Sequence, residues 1–295
     1  MTEREWLAER FESNRTHLRA VAYRMLGSLS EADDAVQEAW LRLSRSGAEG
    51  VENLGGWLTT VVSRVCLDML RSRASRREES LSDRLPEPPA KGRGAADPER
   101  EALLADSVGL ALLVVLDRLE PAERLAFVLH DMFAVPFEEI AAIVGRSPAA
   151  ARQLASRARR RVRGASTAPG ASLSQQREVA AAFLAALRAG DVEALIAVLD
   201  PDLVVHADAA ARAPGAPAEV RGAQFWARQA VAYTKGARFV QLALINDAVG
   251  LVLAPRGKLS RALRFTLGPG GKIARIDIIG EPARLRALRL ATLAD

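Results

Sequence analysis

Between Glu139 and Glu178 the chain has no acidic residue, yet Arg146, Arg152, Arg157, Arg159, Arg160, Arg161, Arg163 and Arg177 fall there. Guanidinium groups packed that densely repel one another unless an anion neutralises them, so the stretch serves either a polyanion or a solvated basic helix. Its punctuation bears on that choice. Pro136 suits the first turn of a helix, Glu138 and Glu139 favour its positive end, and Gly145 can close it. A short turn, Arg146-Ser147-Pro148, then opens a second helix running to about Val162. Two helices joined by a tight Gly-containing turn, the second rich in arginine, form a helix-turn-helix signature, which lays its second helix in the major groove of duplex DNA.

A face of opposite sign lies nearer the N-terminus. Ser30 is a candidate N-cap with Asp33 in the acidic position of a capping box, and a helix follows over 31–43. Ala35, Val36, Ala39, Leu43 and Trp40 point inward, which leaves Asp33, Asp34, Gln37 and Glu38 on the outer face. A preceding helix over 12–27 carries an apolar stripe of Leu18, Val21, Ala22, Met25 and Leu26 and stops at Gly27. A third helix, 54–73, contains Trp57, Leu58, Val61, Val62, Val65 and Leu70, and its C-terminal end is basic: Arg64, Arg71 and Arg73, then Arg76 and Arg77.

The remaining chemistry is sparse. Cys66 is the single cysteine, in an apolar helical run, and reads as a small core residue. His17, His130 and His206 have no metal-ligand spacing, so neither a metal nor another cofactor is expected. His206 and Asp208 alternate along one predicted strand. A carboxylate base in an apolar cavity could serve an enzyme, but solvent-facing positions at a strand end fit the same pattern, and the chain is read as a non-enzyme. The N-terminus lacks the apolar stretch of a signal peptide and no apolar run approaches membrane-spanning length, so a cytoplasmic setting without membrane contact is expected. The formal net charge of +5 and pI of about 9.9 point to an anionic partner.

Two linkers divide the 295 residues. The first, 80–102, contains Pro86, Pro88, Pro89, Gly92, Gly94 and Pro98; the second, at 164–172, reads GASTAPGAS. The expected organisation is a helical domain over 1–79, a helix-turn-helix domain over 103–163 and an α+β domain over 173–295. In that last part helices precede a strand at PDLVVHAD, a helix near 221–235 and three strand candidates, the final one folded at GPGG. The fold class is therefore multidomain, two all-α domains followed by an α+β domain.

Three segments carry a family resemblance. YRMLGSLSEADDAVQEAWLRL at 23–43 and GGWLTTVVSRVCLDMLRSRASRREE at 55–79 resemble region 2 of extracytoplasmic-function sigma factors, and FEEIAAIVGRSPAAARQLASRARRRV at 137–162 resembles their region 4 helix-turn-helix. Leu85-Pro86-Glu87-Pro88 is similar to the linker of the subgroup with a C-terminal SnoaL-like, NTF2-like cone. Two subgroup motifs are altered. Asp208-Ala209-Ala210-Ala211-Arg212 stands for an Asp-Gly-Gly-Gly-Lys run, and Glu281-Pro282-Ala283-Arg284-Leu285 stands for Asn-Pro-Asp-Lys-Leu. Alanine in place of glycine narrows the backbone conformations open to the first loop.

The resemblance implies a transcription initiation subunit that binds core RNA polymerase and promoter DNA. Asp33, Asp34, Gln37 and Glu38 would meet the β′ clamp helices, and region 4 the β flap. Opening a promoter costs a few kcal/mol per unstacked base, which a basic groove offsets by holding the single strand. Asn53 would capture a −10 base, with Trp57 either beside it or in the core. Arg64, Asp68 and Arg71 share a helical face along the −10 DNA, and Arg76 and Arg77 would grip phosphates. At the −35 element Arg152, Gln153 and Ser156 would read base edges while Arg157, Arg159, Arg160 and Arg161 hold phosphates. The C-terminal domain would control the others in cis, with Leu85, Pro86, Glu87, Pro88, His206, Asp208, Arg212, Glu281 and Pro282 as regulatory positions and either a small-molecule ligand or protein contact as its input.

Overall fold

The computed structural model describes residues 3–46, 51, 53–82, 109–163 and 172–293. Three helices come first: α1 (Glu3–Leu26), α2 (Leu29–Ser46) and α3 (Leu54–Ser82). Their apolar stripes close on one another, burying Phe11, Leu18 and Met25 of α1, Val36 and Leu43 of α2, and Leu58, Val62 and Cys66 of α3. Helix α1 starts nine residues before the expected position 12, because Leu7 and Phe11 extend its buried stripe. Ser30 is not the cap of α2. The helix begins at Leu29, directly after Gly27 closes α1, and the Ser28 carbonyl accepts from the Ala32 amide at 3.0 Å.

Next come α4 (Leu110–Leu116), α5 (Pro121–Phe127), a π-helical turn at Val128–Met132, α6 (Phe137–Val144) and α7 (Pro148–Arg163). Gly145 closes α6 in the left-handed conformation, as its place in the sequence suggests. By packing, residues 3–82 and 116–159 form one compact unit, and residues 109–115 with 160–293 form another.

The second unit adds α8 (Leu173–Ala189) and α9 (Val192–Val198), then β1 (Leu199–Ala207), β2 (Glu219–Arg221), α10 (Ala223–Ala230) and α11 (Thr234–Ala237). It finishes with β3 (Val240–Ile245), β4 (Ala248–Leu253), β5 (Arg261–Leu267), β6 (Ile273–Ile279), α12 (Pro282–Ala287) and β7 (Leu290–Ala291). The seven strands form one sheet in the order β2-β1-β6-β5-β4-β3-β7; β1 and β6 run parallel and the other pairs antiparallel. Helices α8, α9 and α10 cover the sheet through a core that includes Phe183, Leu184, Leu195, Leu203, Ala227 and Ile276. The GPGG segment makes the β5–β6 turn, with the Gly268 amide donating to the Lys272 carbonyl at 2.8 Å.

Candidate nucleic-acid interface

Helix α7 divides cleanly into two faces. Ala151, Leu154, Ala155, Ala158 and Val162 are buried, whereas Arg152, Gln153, Ser156, Arg157 and Arg160 are exposed together. Small alanines on the inner side let α7 lie close to the rest of the bundle, and Arg152, Gln153 and Ser156 are thereby turned outward. Arg152 is oriented from α6: its Nη2 donates to Glu138 Oε1 at 3.1 Å, and its guanidinium lies 5.6 Å from the Phe137 ring centroid. Arg159 is only part-exposed and donates to Asp131 Oδ1 at 2.7 Å, which fixes it to the π-helical turn.

On α3, Arg64, Asp68, Arg71 and Arg76 are all exposed. Arg71 and Asp68 stand 4.0 Å apart, and the Arg64 Nη2 donates to the Ala142 carbonyl of α6 at 3.4 Å. Arg76 folds back on its own helix through the Ser72 carbonyl. Asn53 precedes α3 and accepts from the Gly56 amide through Oδ1 at 3.0 Å, so it caps the helix. Trp57 is half-buried. The Arg77 side chain and Leu85, Pro86, Glu87 and Pro88 lie outside the described residues.

The outer face of α2 holds its acidic row. Asp33, Asp34 and Gln37 are exposed and Glu38 is half-buried. Asp33 pairs with Arg19 at 2.7 Å and Glu38 with Arg42 at 2.9 Å.

In the second unit the two altered loops meet on Asp208, which follows β1. Its Oδ1 accepts from the Ala211 amide at 3.0 Å and the Gly280 amide at 3.1 Å, its Oδ2 from the Glu281 amide at 3.1 Å, and Arg284 donates at 3.3 Å. Burial disfavours ionisation of this carboxyl, but the amides of Glu281, Gly280 and Ala211 and the Arg284 charge outweigh it, so its pKa lies below the usual carboxylate range. Ala209, Ala210 and Ala211 all keep negative φ, so the loop forms without the glycine-only region. Arg212 donates to the Ala216 carbonyl at 2.6 Å, and His206 is half-buried in β1 opposite Glu219 and Asp277. Pro282 opens α12.

Two contributors escaped the sequence reading. Gly280 passes so close to the first loop that a Cβ on it would lie 2.8 Å from the Ala211 nitrogen. Arg124, on α5, is 2% exposed and donates to the Arg24 carbonyl at 3.1 Å and 3.3 Å, with Asp117 3.5 Å away. Burial pushes its pKa down to about 10 despite Asp117. Nothing in the local sequence marks that arginine for burial. No group of His, Cys, Asp and Glu suited to a metal occurs among the described residues, and none of their helices is long and apolar enough to cross a membrane.

Comparison with known proteins matches residues 10–76 to Sigma-70 region 2 and residues 109–162 to Sigma-70 region 4. The chain is 44% identical over 256 residues to the ECF RNA polymerase sigma factor SigJ of Mycobacterium tuberculosis (strain ATCC 25618 / H37Rv), spanning 83% of this chain and 80% of that one. It is 34% identical over 295 residues to the probable ECF RNA polymerase sigma factor SigI of the same strain, covering 98% of each. Among solved structures, the crystal structure of M. tuberculosis SigJ aligns over 94% of this chain and 98% of its own, at 38% identity and a TM-score of 0.45.

Proposed function

The chain belongs to the extracytoplasmic-function (ECF) RNA polymerase sigma factors, and from that footing we propose how its residues divide the work. As a sigma factor it binds core RNA polymerase and promoter DNA and takes part in transcription initiation. The observation that carries the residue-level reading is the outward face of α7, where Arg152, Gln153, Ser156, Arg157 and Arg160 stand together over a buried alanine-rich side. Arg152 and Gln153 read the −35 bases, while Arg157, Arg159 and Arg160 hold phosphates. Arg64, Asp68, Arg71, Arg76 and Arg77 follow the −10 DNA beside Asn53. Asp33, Asp34, Gln37 and Glu38 dock on the β′ clamp helices, and region 4 docks on the β flap. The site of action is the cytoplasm, where the polymerase works.

Control in cis by the C-terminal α+β part has a physical footing inside the second unit. The Ala111 amide of α4 donates to Gln241 Oε1 of β3 at 3.0 Å, and the Thr292 amide and hydroxyl donate to the Val162 carbonyl of α7 at 2.8 and 3.0 Å. Residues matched to region 4 are thus bonded to Gln241 within the sheet and to Thr292 just after β7. Each such bond contributes roughly 1 kcal/mol. The double variant Gln241→Leu, Thr292→Val should change promoter output with core polymerase by about fivefold or more. Unchanged output with normal folding would remove the cis-control reading.

A further inference from the structure

Asp208 and its loops lie past the C-terminal end of β1; an open cleft of about 590 Å³ lies at the other end of the same strand. Its floor is apolar. Leu199, where β1 begins, and Ala223, where α10 begins, are buried in the core of the α+β part, and Ile196 of α9 packs against that core. Concave sites of roughly 300–1,000 Å³ suit small organic molecules.

Phe225 lines the same cleft and is 58% exposed. Its neighbour Trp226 turns inward and stacks on Phe183 at 5.8 Å between ring centroids. Consecutive residues of a helix do not share a face, so only one of the two aromatics reaches the core. The phenyl ring left in water forgoes the favourable burial that an apolar occupant of the cleft would restore.

Charge comes from two other lining residues. Arg228, one turn after Phe225 on α10, and Lys272, in the β5–β6 turn, are both exposed, and neither side chain has an ion pair or hydrogen bond among the described residues. Arg221 and Arg275 differ, each being paired with a carboxylate, Glu219 and Asp277 respectively. None of the described lining residues is acidic. Asp200, beside Pro201 of the cleft wall, accepts from the Asp202 amide at 3.0 Å. Two cations in one cleft without a counter-charge give it a positive potential, which its low-dielectric walls focus.

We propose that this cleft binds a small amphipathic anion, its carboxylate or phosphate head held by Arg228 and Lys272 and its apolar body laid over Ile196, Leu199 and Phe225. A neutral lipid-like molecule would leave both cations unused, and free phosphate would leave the phenyl ring and the apolar floor in water. The site shares no residue with the promoter and polymerase contacts proposed above.

The test is calorimetric titration of the full chain with decanoate, kept below its micelle concentration, and with decanamide, an uncharged molecule of nearly the same shape. Decanoate should bind at least about tenfold more tightly, because only its head makes charge-assisted bonds. Hexanoate, four methylenes shorter, should bind at least about tenfold more weakly than decanoate. The double variant Arg228→Gln, Lys272→Gln should weaken decanoate binding by about tenfold or more and leave decanamide unchanged, whereas Phe225→Ser should weaken both. All three side chains are exposed, so melting temperatures should match that of the unaltered chain; the comparison of decanoate with decanamide needs no variant. Absence of decanoate binding at millimolar concentration, or equal affinity for decanoate and decanamide, would overturn the site. Decanoate binding that survives the double substitution would also overturn it, by placing the ligand elsewhere. Association with core polymerase tests the sigma-factor reading separately, and neither result decides the other.

Discussion

Both carboxylate oxygens of Asp208 lie 3.1 Å from the backbone amide of Gly280, 72 residues later in the chain. This one contact joins the loop after β1, which carries residues 208–212, to the segment at 281–285 that opens α12. An ionised acceptor facing several amides is among the stronger arrangements a folded chain contains, because such charge-assisted bonds exceed neutral ones.

Replacing Asp208 with alanine should therefore lower the stability of the α+β part by about 1.5–3 kcal/mol, read by urea denaturation followed at Trp226. The folded carboxyl titrates below its unfolded value, so its contribution is complete above the unfolded pKa of about 3.9 and is lost as pH falls through the folded value. Asp208→Asn should remove that acid-dependent component. An unchanged acid limb in Asp208→Asn would contradict this role.

Gly280→Ala should be comparably damaging, by about 1–3 kcal/mol, because its Cβ would meet backbone atoms of Ala210 and Ala211 at 2.8–2.9 Å that cannot swing aside. Gly270→Ala is the matched control, since nothing lies within 4 Å of a Cβ there. Equal melting temperatures for the two variants would show that the loop yields freely.

These positions mark the limit of what the sequence discloses. The helix-turn-helix was legible because Pro136, Gly145 and the arginine run are local signals, and the GPGG turn was legible for the same reason. Strands β2 and β7 span three and two residues, too short to show alternation. Ser28 and Ser30 are equivalent caps by composition, and only the backbone distinguishes them. Arg124 reads as an ordinary charged residue of a short helix; its burial is imposed by α1, a hundred residues upstream. Among the proposed contacts, the shared face of Arg64, Asp68 and Arg71 on α3 followed from helical spacing, whereas the pairing of Arg152 with Glu138 and of Arg159 with Asp131 depends on tertiary packing.

On α7, Arg152→Ala should relax −35 selectivity by about 1–3 kcal/mol at one base position, while Arg160→Ala should weaken all duplexes alike and reduce the salt slope by about one. Binding titrations against a panel of −35 variants at several salt concentrations separate the two. Matching selectivity profiles for both variants would refute the assignment of base reading to Arg152.

On α2, Asp34 is exposed and Asp33 is paired with Arg19. Asp34→Lys should weaken association with core RNA polymerase by roughly tenfold at moderate salt, with the deficit narrowing as salt rises, and should leave the melting temperature unchanged. Equal affinity across the salt series would place the polymerase contact elsewhere.

Cys66 should resist alkylation at pH 8, because its buried thiol is pushed up to about 12 and little thiolate forms. Labelling should appear only with denaturant, along the unfolding curve; rapid modification of the folded chain would show that α3 is not packed as described.

The most direct measurement is genome-wide mapping of transcription start sites made by core RNA polymerase in vitro, with and without the purified chain. The expected result is a discrete set of starts that appears only with the chain and shares paired sequences centred near −10 and −35. A start-site profile indistinguishable from that of core enzyme alone would contradict the assignment of promoter recognition to these two helical modules.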